Sequence, residues 1–298
     1  MVKLLYVAGY ARSGSTFFDS VLGSHPRVFS AGELTHLYDD AHSGAPCGCG
    51  EPLTSCEIWG KVLSEVAADP NDARILTRRC EHGLRGRRVE RQRLRDYEDL
   101  WRSVLASLER HADADVIVDA SKTMLFAAKR PWLMRGLDRQ HFRLVHLTRD
   151  PRASAWSVRK GGNPIAANRR LKSLSAWRTA GTWIAANIVA ERAASRSVAL
   201  HVRYEDLVQD PGHVLNRVGE LVDLDLETVA DHLAAGRALP AGHGISGNRV
   251  RHSGTLSLNP DEDWRSSAPA SIRRVMAMTA PLAHRYGYRV TSKDARRP

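Results

Sequence analysis

LLYVAGYARSGSTFFDSVL, residues 4–22, decides how the rest of the chain is read. Leu4 to Ala8 are five apolar or β-prone residues, the pattern of a short buried strand. The chain leaves them through Gly9, passes a glycine- and serine-rich turn and opens a helix. The frame Gly9-x-x-x-x-Gly14-x-Thr16 is that of a nucleotide-triphosphatase loop, but Ser15 stands where the lysine should be. A positive charge lies instead inside the turn, at Arg12. Backbone N–H groups of such a turn, with a helix N-terminus behind them, cradle a divalent oxyanion even without that lysine. Arg12, Ser13, Gly14, Ser15 and Thr16 therefore suit a phosphate-like group, while a part needed for Mg-ATP hydrolysis is missing.

Outward from this loop, short apolar runs alternate with helical patterns. Residues 116–118, 143–148 and 198–204 read as further strands. Residues 59–68, 171–196, 213–222 and 271–286 read as helices, and so does 97–111, with its stripe of Leu100, Trp101, Val104, Leu105 and Leu108. Such alternation implies parallel strands joined by right-handed crossovers: an α/β, P-loop-like, three-layer fold with a central parallel sheet flanked by helices. Ligands of these sheets bind beyond the strand C-terminal ends. Four motifs fall at such ends: the loop at 9–16, Asp119-Ala-Ser-Lys122, Arg149 to Ser157, and Tyr204. No repeat, low-complexity tract or linker divides the chain, so a single domain over 1–298 is expected. Within it, 38–110 reads as an insertion lining or covering the acceptor side.

The net charge of +11 and pI near 9.9 favour an anionic substrate or partner. Arg78, Arg79, Arg85, Arg87, Arg88, Arg91, Arg93 and Arg95 crowd one stretch. They read as a solvated helix face and loop paired with Glu81, Glu90 and Asp96, or as a site for an acidic acceptor or carrier. No aromatic residues interleave them, which argues against nucleic acid. No secretory signal opens the chain, and the longest uncharged stretch, 179–190, is too short to span a bilayer, so a soluble cytoplasmic protein is expected. Cys47, Cys49 and Cys56 cluster, but C-x-C-x6-C departs from standard zinc spacing. With Cys80 or a nearby histidine they fit a metal site; a disulfide or reduced packing thiols fit as well. No metal ligand is assigned from sequence.

A second basic motif, Arg149-Asp-Pro-Arg-Ala-Ser-Ala-Trp-Ser157, leaves a strand as a helix begins. A fixed guanidinium and a hydroxyl two turns on would clamp a second phosphate. At this point the chain resembles the sulfotransferases that use 3′-phosphoadenosine 5′-phosphosulfate (PAPS). The R-S-G-S-T loop is similar to their 5′-phosphosulfate loop, in the arginine form of carbohydrate and tyrosylprotein members. R-D-P-R-A with Ser157 resembles their 3′-phosphate motif. H-V-R-Y-E-D-L-V-Q-D-P, residues 201–211, resembles the strand whose tyrosine, here Tyr204, helps hold the adenine. Gly247-Asn-Arg-Val-Arg251 and the segment around Trp264 resemble a C-terminal stretch that closes over the nucleotide, which implies Arg249 and Arg251 as phosphate ligands; the G-x-x-G-x-x-K form of cytosolic members is absent.

The resemblance also implies catalytic roles. Arg12 would balance charge on the phosphosulfate. Lys122, in a D-A-S-K similar to the family's D-S-S-K, would reach the same oxygens or else pair structurally with Asp119. Glu33, in a segment resembling H-P-x-V-x-x-x-G-E, would accept the acceptor's proton, with His36 as the alternative base. Transfer by this route needs no metal. The acceptor would be a small-molecule, glycan or lipid-linked hydroxyl, with an acidic or polar one favoured by the local arginines. A P-loop kinase or nucleotide-binding protein on the related fold is the competing reading, and a non-catalytic binding module a third.

Overall fold

The computed structural model describes residues 2–83, 89–160, 175–237, 242–247 and 263–289. Among them, β1 (Lys3–Ala8), β2 (Val28–Gly32), β3 (Val116–Asp119), β4 (Phe142–Thr148) and β5 (Val198–Arg203) form one sheet, in the order β2-β3-β1-β4-β5. Every pairing is parallel. The register sets Tyr6 of β1 beside Asp119 of β3 and Leu144 of β4, and Thr148 beside Arg203 of β5. All strand C-terminal ends thus share one edge.

Alternation along β1 explains the layers. Leu4, Tyr6 and Ala8 face one core with Trp59, Tyr97, Trp101 and Leu108. Leu5 and Val7 face the other, with Phe17, Phe18, Leu215 and Val218. Buried on both faces, the central strand reads as an unbroken apolar run. Burial of each large side chain contributes roughly 1.5–3 kcal/mol, which offsets the entropy of ordering the backbone. Among the described residues, no helix is long and apolar enough to cross a membrane.

The expected α/β architecture is present, with differences at particular elements. β2 was not expected as a strand: its Ser30-Ala31-Gly32 end has little β propensity, and pairing with β3 supplies the stability. Tyr204 begins the helix Tyr204–Gln209 instead of ending β5. The long helix spans Ala176–Ala194, and its expected start at residue 171 lies outside the described residues. Segment 38–110 supplies much of one core, because Tyr38, Trp59, Tyr97 and Trp101 are fully or almost fully buried.

That segment is tied to the sheet by a buried ionic cluster. Arg130 donates through Nε to Asp119 Oδ2 at 2.8 Å and through a terminal nitrogen to Glu81. Tyr97 Oη donates to Glu81 Oε1 at 2.7 Å, and the guanidinium lies 4.0 Å over the Trp101 ring. Asp119 therefore pairs with Arg130, and Glu81 is drawn inward instead of pairing with the exposed arginines as expected. Arg78 bonds Asp39 at 2.5 Å and Arg93 approaches Glu90 at 3.7 Å, while Asp96 accepts from Gln92.

Candidate active site

The first loop is shaped by two glycines. At Gly9, with φ +141°, a Cβ would fall 2.2 Å from the Leu147 carbonyl oxygen. At Gly14, with φ +88°, a Cβ would fall 2.2 Å from Cδ2 of Tyr204. Both positions need glycine, the second because the Tyr204 ring lies against the turn. Arg12 adopts φ +69°, a left-handed conformation that costs about 1–2 kcal/mol for a residue with a Cβ. Ser13 Oγ is buried and has no hydrogen-bond partner among the described residues. Ser15 opens the helix Ser15–Leu22, whose first amides have no intrahelical acceptor.

Arg149 is where β4 delivers it, just past Thr148. One of its terminal nitrogens reaches the Arg12 carbonyl at 3.4 Å, and its guanidinium lies 4.6 Å over the Tyr204 ring. The two basic motifs, 137 residues apart in sequence, are thus in direct contact. Ser157 is half-buried on the helix Pro151–Arg159. Arg152 is held bidentately by Asp150, at 3.0 and 2.7 Å, which commits it to the turn. A cavity of about 220 Å³ opens beside Tyr204, with Arg149, Arg203, Trp264 and Arg265 in its wall. Arg249 and Arg251 lie outside the described residues.

The third cluster centres on Glu33, at the end of β2. Its N–H donates to the Ile245 carbonyl at 2.9 Å, which fixes the backbone where the strand stops. Lys122 Nζ donates to Glu33 Oε1 at 2.6 Å, so the lysine pairs with Glu33 and not with Asp119. Lys122 has φ +66°, and its carbonyl accepts from Tyr6 Oη. The amides of Lys122 and Thr123 donate to Val7 at 3.1 Å and Gly9 at 3.0 Å, stitching this turn to the first loop. Burial pushes the Arg12 guanidinium pKa down, and the charge of Glu33 opposes that shift. His36 stands with Nε2 3.7 Å from Glu33 Oε2 and Nδ1 3.2 Å from Asp39 Oδ2. One edge of the sheet therefore carries Arg12, Lys122, Glu33 and His36 together, with Arg149 behind them.

The family model described as "Sulfotransferase family" matches residues 5–228, which include Arg12, Glu33, His36, Lys122 and Arg149. The chain belongs to the sulfotransferase family. It is similar in fold to the sulfotransferase domain from the curacin biosynthetic pathway, at TM-score 0.54 and 17% identity over 98% of this chain and 99% of that one. The sulfotransferase domain of the Synechococcus PCC 7002 olefin synthase gives 0.51 and 20% over 98% and 96%. Sulfotransferase STF9 from Mycobacterium avium gives 0.54 and 13%, over 97% and 78%. A sequence search of curated proteins found no match.

Sequence reasoning missed several neighbours of this family site. Arg203 lines the cavity from β5 but sits inside an ordinary strand pattern. Asp39 buttresses His36 and is held in turn by Arg78 of the arginine-rich stretch; nothing in the local sequence of Asp39 marks it. The cysteine cluster acquires a partner from far along the chain: Cys47, Cys49 and Cys56 meet His243, with all four donor atoms within 4.8 Å of one another. Cys80 is buried elsewhere, with its Sγ 3.8 Å from the Arg93 carbonyl.

Proposed function

We propose that this chain transfers a sulfuryl group from PAPS to a hydroxyl of a small-molecule, glycan or lipid-linked acceptor. The observation that carries the reading is the meeting of Arg12, Lys122, Glu33 and Arg149 at one sheet edge around a glycine-shaped cradle. The buried hydroxyl of Ser13, without a partner among the described residues, and the basic cavity beside Tyr204 fit a ligand with phosphate at both ends. When bound, the donor supplies the sulfuryl group and a phosphate oxygen as the leaving atom. Ser13, Gly14, Ser15 and Thr16 would hold the 5′ end through backbone N–H and hydroxyl groups. Arg149 and Ser157 would hold the 3′-phosphate, with Arg203, Arg249, Arg251 and Arg265 adding charge around it. Tyr204 would pack on the adenine.

Glu33 acts as general base and takes the acceptor's hydroxyl proton. Lys122 orients that carboxylate and, with Arg12, balances the charge that develops on the leaving oxygen; positioning and electrostatics dominate such transfers. His36, held by Asp39, supports Glu33 from its other oxygen. Segment 38–110 brings Asp39 and Arg78 to this side, against His36, so the acceptor enters along it. Donor binding in this scheme rests on protein groups alone. A kinase reading is disfavoured by Ser15 in the lysine position and by a second basic motif for which ATP has no matching phosphate. Calorimetry with 3′,5′-ADP and with ATP-Mg separates the two. Binding of 3′,5′-ADP with weaker or no binding of ATP-Mg is expected, and binding of ATP-Mg alone refutes the proposal.

A further inference from the structure

We infer that Cys47, Cys49, Cys56 and His243 form a structural zinc site that pins the chain segment 242–247 to the acceptor-side insertion. The first observation is the donor set. Three sulfurs and one imidazole nitrogen converge within 4.8 Å, from positions almost 200 residues apart. The separations match a tetrahedron. Zn–S bonds near 2.3 Å and Zn–N bonds near 2.0–2.1 Å require S···S edges of about 3.8 Å and S···N edges of about 3.6 Å. Cys47 Sγ and Cys56 Sγ are 3.6 Å apart, and His243 Nδ1 is 3.3 Å from Cys56 Sγ and 4.0 Å from Cys47 Sγ. Cys49, the exposed member, has its Sγ within 4.8 Å of the other three donors and supplies the fourth corner.

The surroundings are those of a prepared site. Cys47 N–H donates to the Glu51 carbonyl at 2.8 Å and Gly50 N–H to the Cys47 carbonyl at 3.0 Å, which folds residues 47–51 into a tight knuckle. Gly50 takes φ +93° there. The His243 carbonyl accepts from Trp59 Nε1, and its ring stacks on Phe29 at 6.4 Å and 12°. Those contacts fix the imidazole with Nδ1 toward the sulfurs. A disulfide between Cys47 and Cys56 would leave Cys49 and His243 converging on nothing.

Four protein donors leave no open position, so the ion is structural and not catalytic. Binding displaces three thiol protons to solvent, and affinity therefore falls as pH falls. The consequence reaches the active site through one short path. Gly48 N–H donates to the Gly244 carbonyl at 3.0 Å, Ile245 N–H donates to Ala31 at 3.0 Å, and Ile245 accepts from Glu33 N–H. The clamp thus holds the residues that terminate β2.

The test begins with the full chain purified under reductant, without chelator, and analysed for metal by mass spectrometry. About one zinc per chain is expected, released when an organomercurial titrates the thiols. Cobalt exchange should give the ligand-field and sulfur-to-cobalt charge-transfer bands of a tetrahedral thiolate site. Cys49→Ser, chosen because its side chain is exposed, should fold and bind zinc at least about tenfold more weakly. Metal-free protein that shows no cobalt thiolate bands overturns the inference. So does a Cys47–Cys56 disulfide found by peptide mapping, or undiminished zinc binding in Cys49→Ser. None of these readouts depends on sulfuryl transfer.

Discussion

The loop at residues 9–16 and the Glu33 side of the candidate site are built in different ways. Residues 9–16 are encoded as one contiguous stretch, two obligatory glycines, a left-handed Arg12 and a helix that begins at Ser15, against which Leu147, Thr123, Arg149 and Tyr204 pack. The Glu33 side is held, besides its neighbour His36, by side chains and carbonyls arriving from far away, Lys122, Ile245 and, behind them, Arg130 with Glu81. The first is a contiguous motif with a fixed form; the second is an assembly whose members specify each other only after folding. Damage to the first should be local, and damage to the second should spread.

The sharpest attempt to break that contrast is Arg130→Met. It strands two buried carboxylates and should destabilise the protein by about 3–5 kcal/mol, measured by urea unfolding. A loss under about 1 kcal/mol would mean the cluster is not what joins segment 38–110 to the sheet. Next comes Glu33→Gln, expected to lower turnover by about 10²-fold or more while 3′,5′-ADP affinity stays within about twofold. Near wild-type turnover in a single-turnover assay would move the base to His36. On the donor side, Arg149→Ala should weaken 3′,5′-ADP by roughly 1.5–3 kcal/mol in calorimetry, with little change in folding stability. Unchanged affinity would remove Arg149 from the nucleotide site.

The smallest effect concerns neither side but the sheet beneath them. His146 on β4 is buried against Asn187, bonded at 2.9 Å, and burial pushes its pKa down to about 4. The folded state therefore binds this proton less readily than the unfolded chain, whose histidine titrates near 6.5. Its stabilising contribution is complete above that value and shrinks as pH falls toward 4. Between pH 7 and pH 5 the expected loss is about 2 kcal/mol, at about 1.4 kcal/mol per pH unit. His146→Gln should flatten that part of the urea-unfolding profile, and an unaltered slope would show that other groups set it.

The same contrast explains how much could be read in advance. The loop, the Arg149 turn and four strands were legible because each is encoded within a few consecutive residues: glycines where φ is positive, proline at a helix start, β-branched runs in buried strands. β2 was not, since its weak strand propensity is overridden by pairing with β3. The partner expected for Glu81, and the Asp119 pairing held open for Lys122, differ from the structure for a related reason. Charge pairing was assigned by nearness in sequence, whereas burial selected Arg130 for Glu81 and Asp119, and the end of β2 offered Glu33 to Lys122. His243 was invisible as a companion of the cysteines because only the fold brings 242–247 to them.

The parallel bridge between Gly32 and Ile245 gives β2 a partner on its outer side for a single residue. Sheet edges exchange their amide hydrogens fastest, since fraying there breaks few contacts. The carboxylate that would take the proton thus hangs from an edge strand. One rung of ladder braces the end of β2 there, and the Glu33 amide beside Gly32, bonded to the Ile245 carbonyl, should exchange more slowly than an unpaired edge amide.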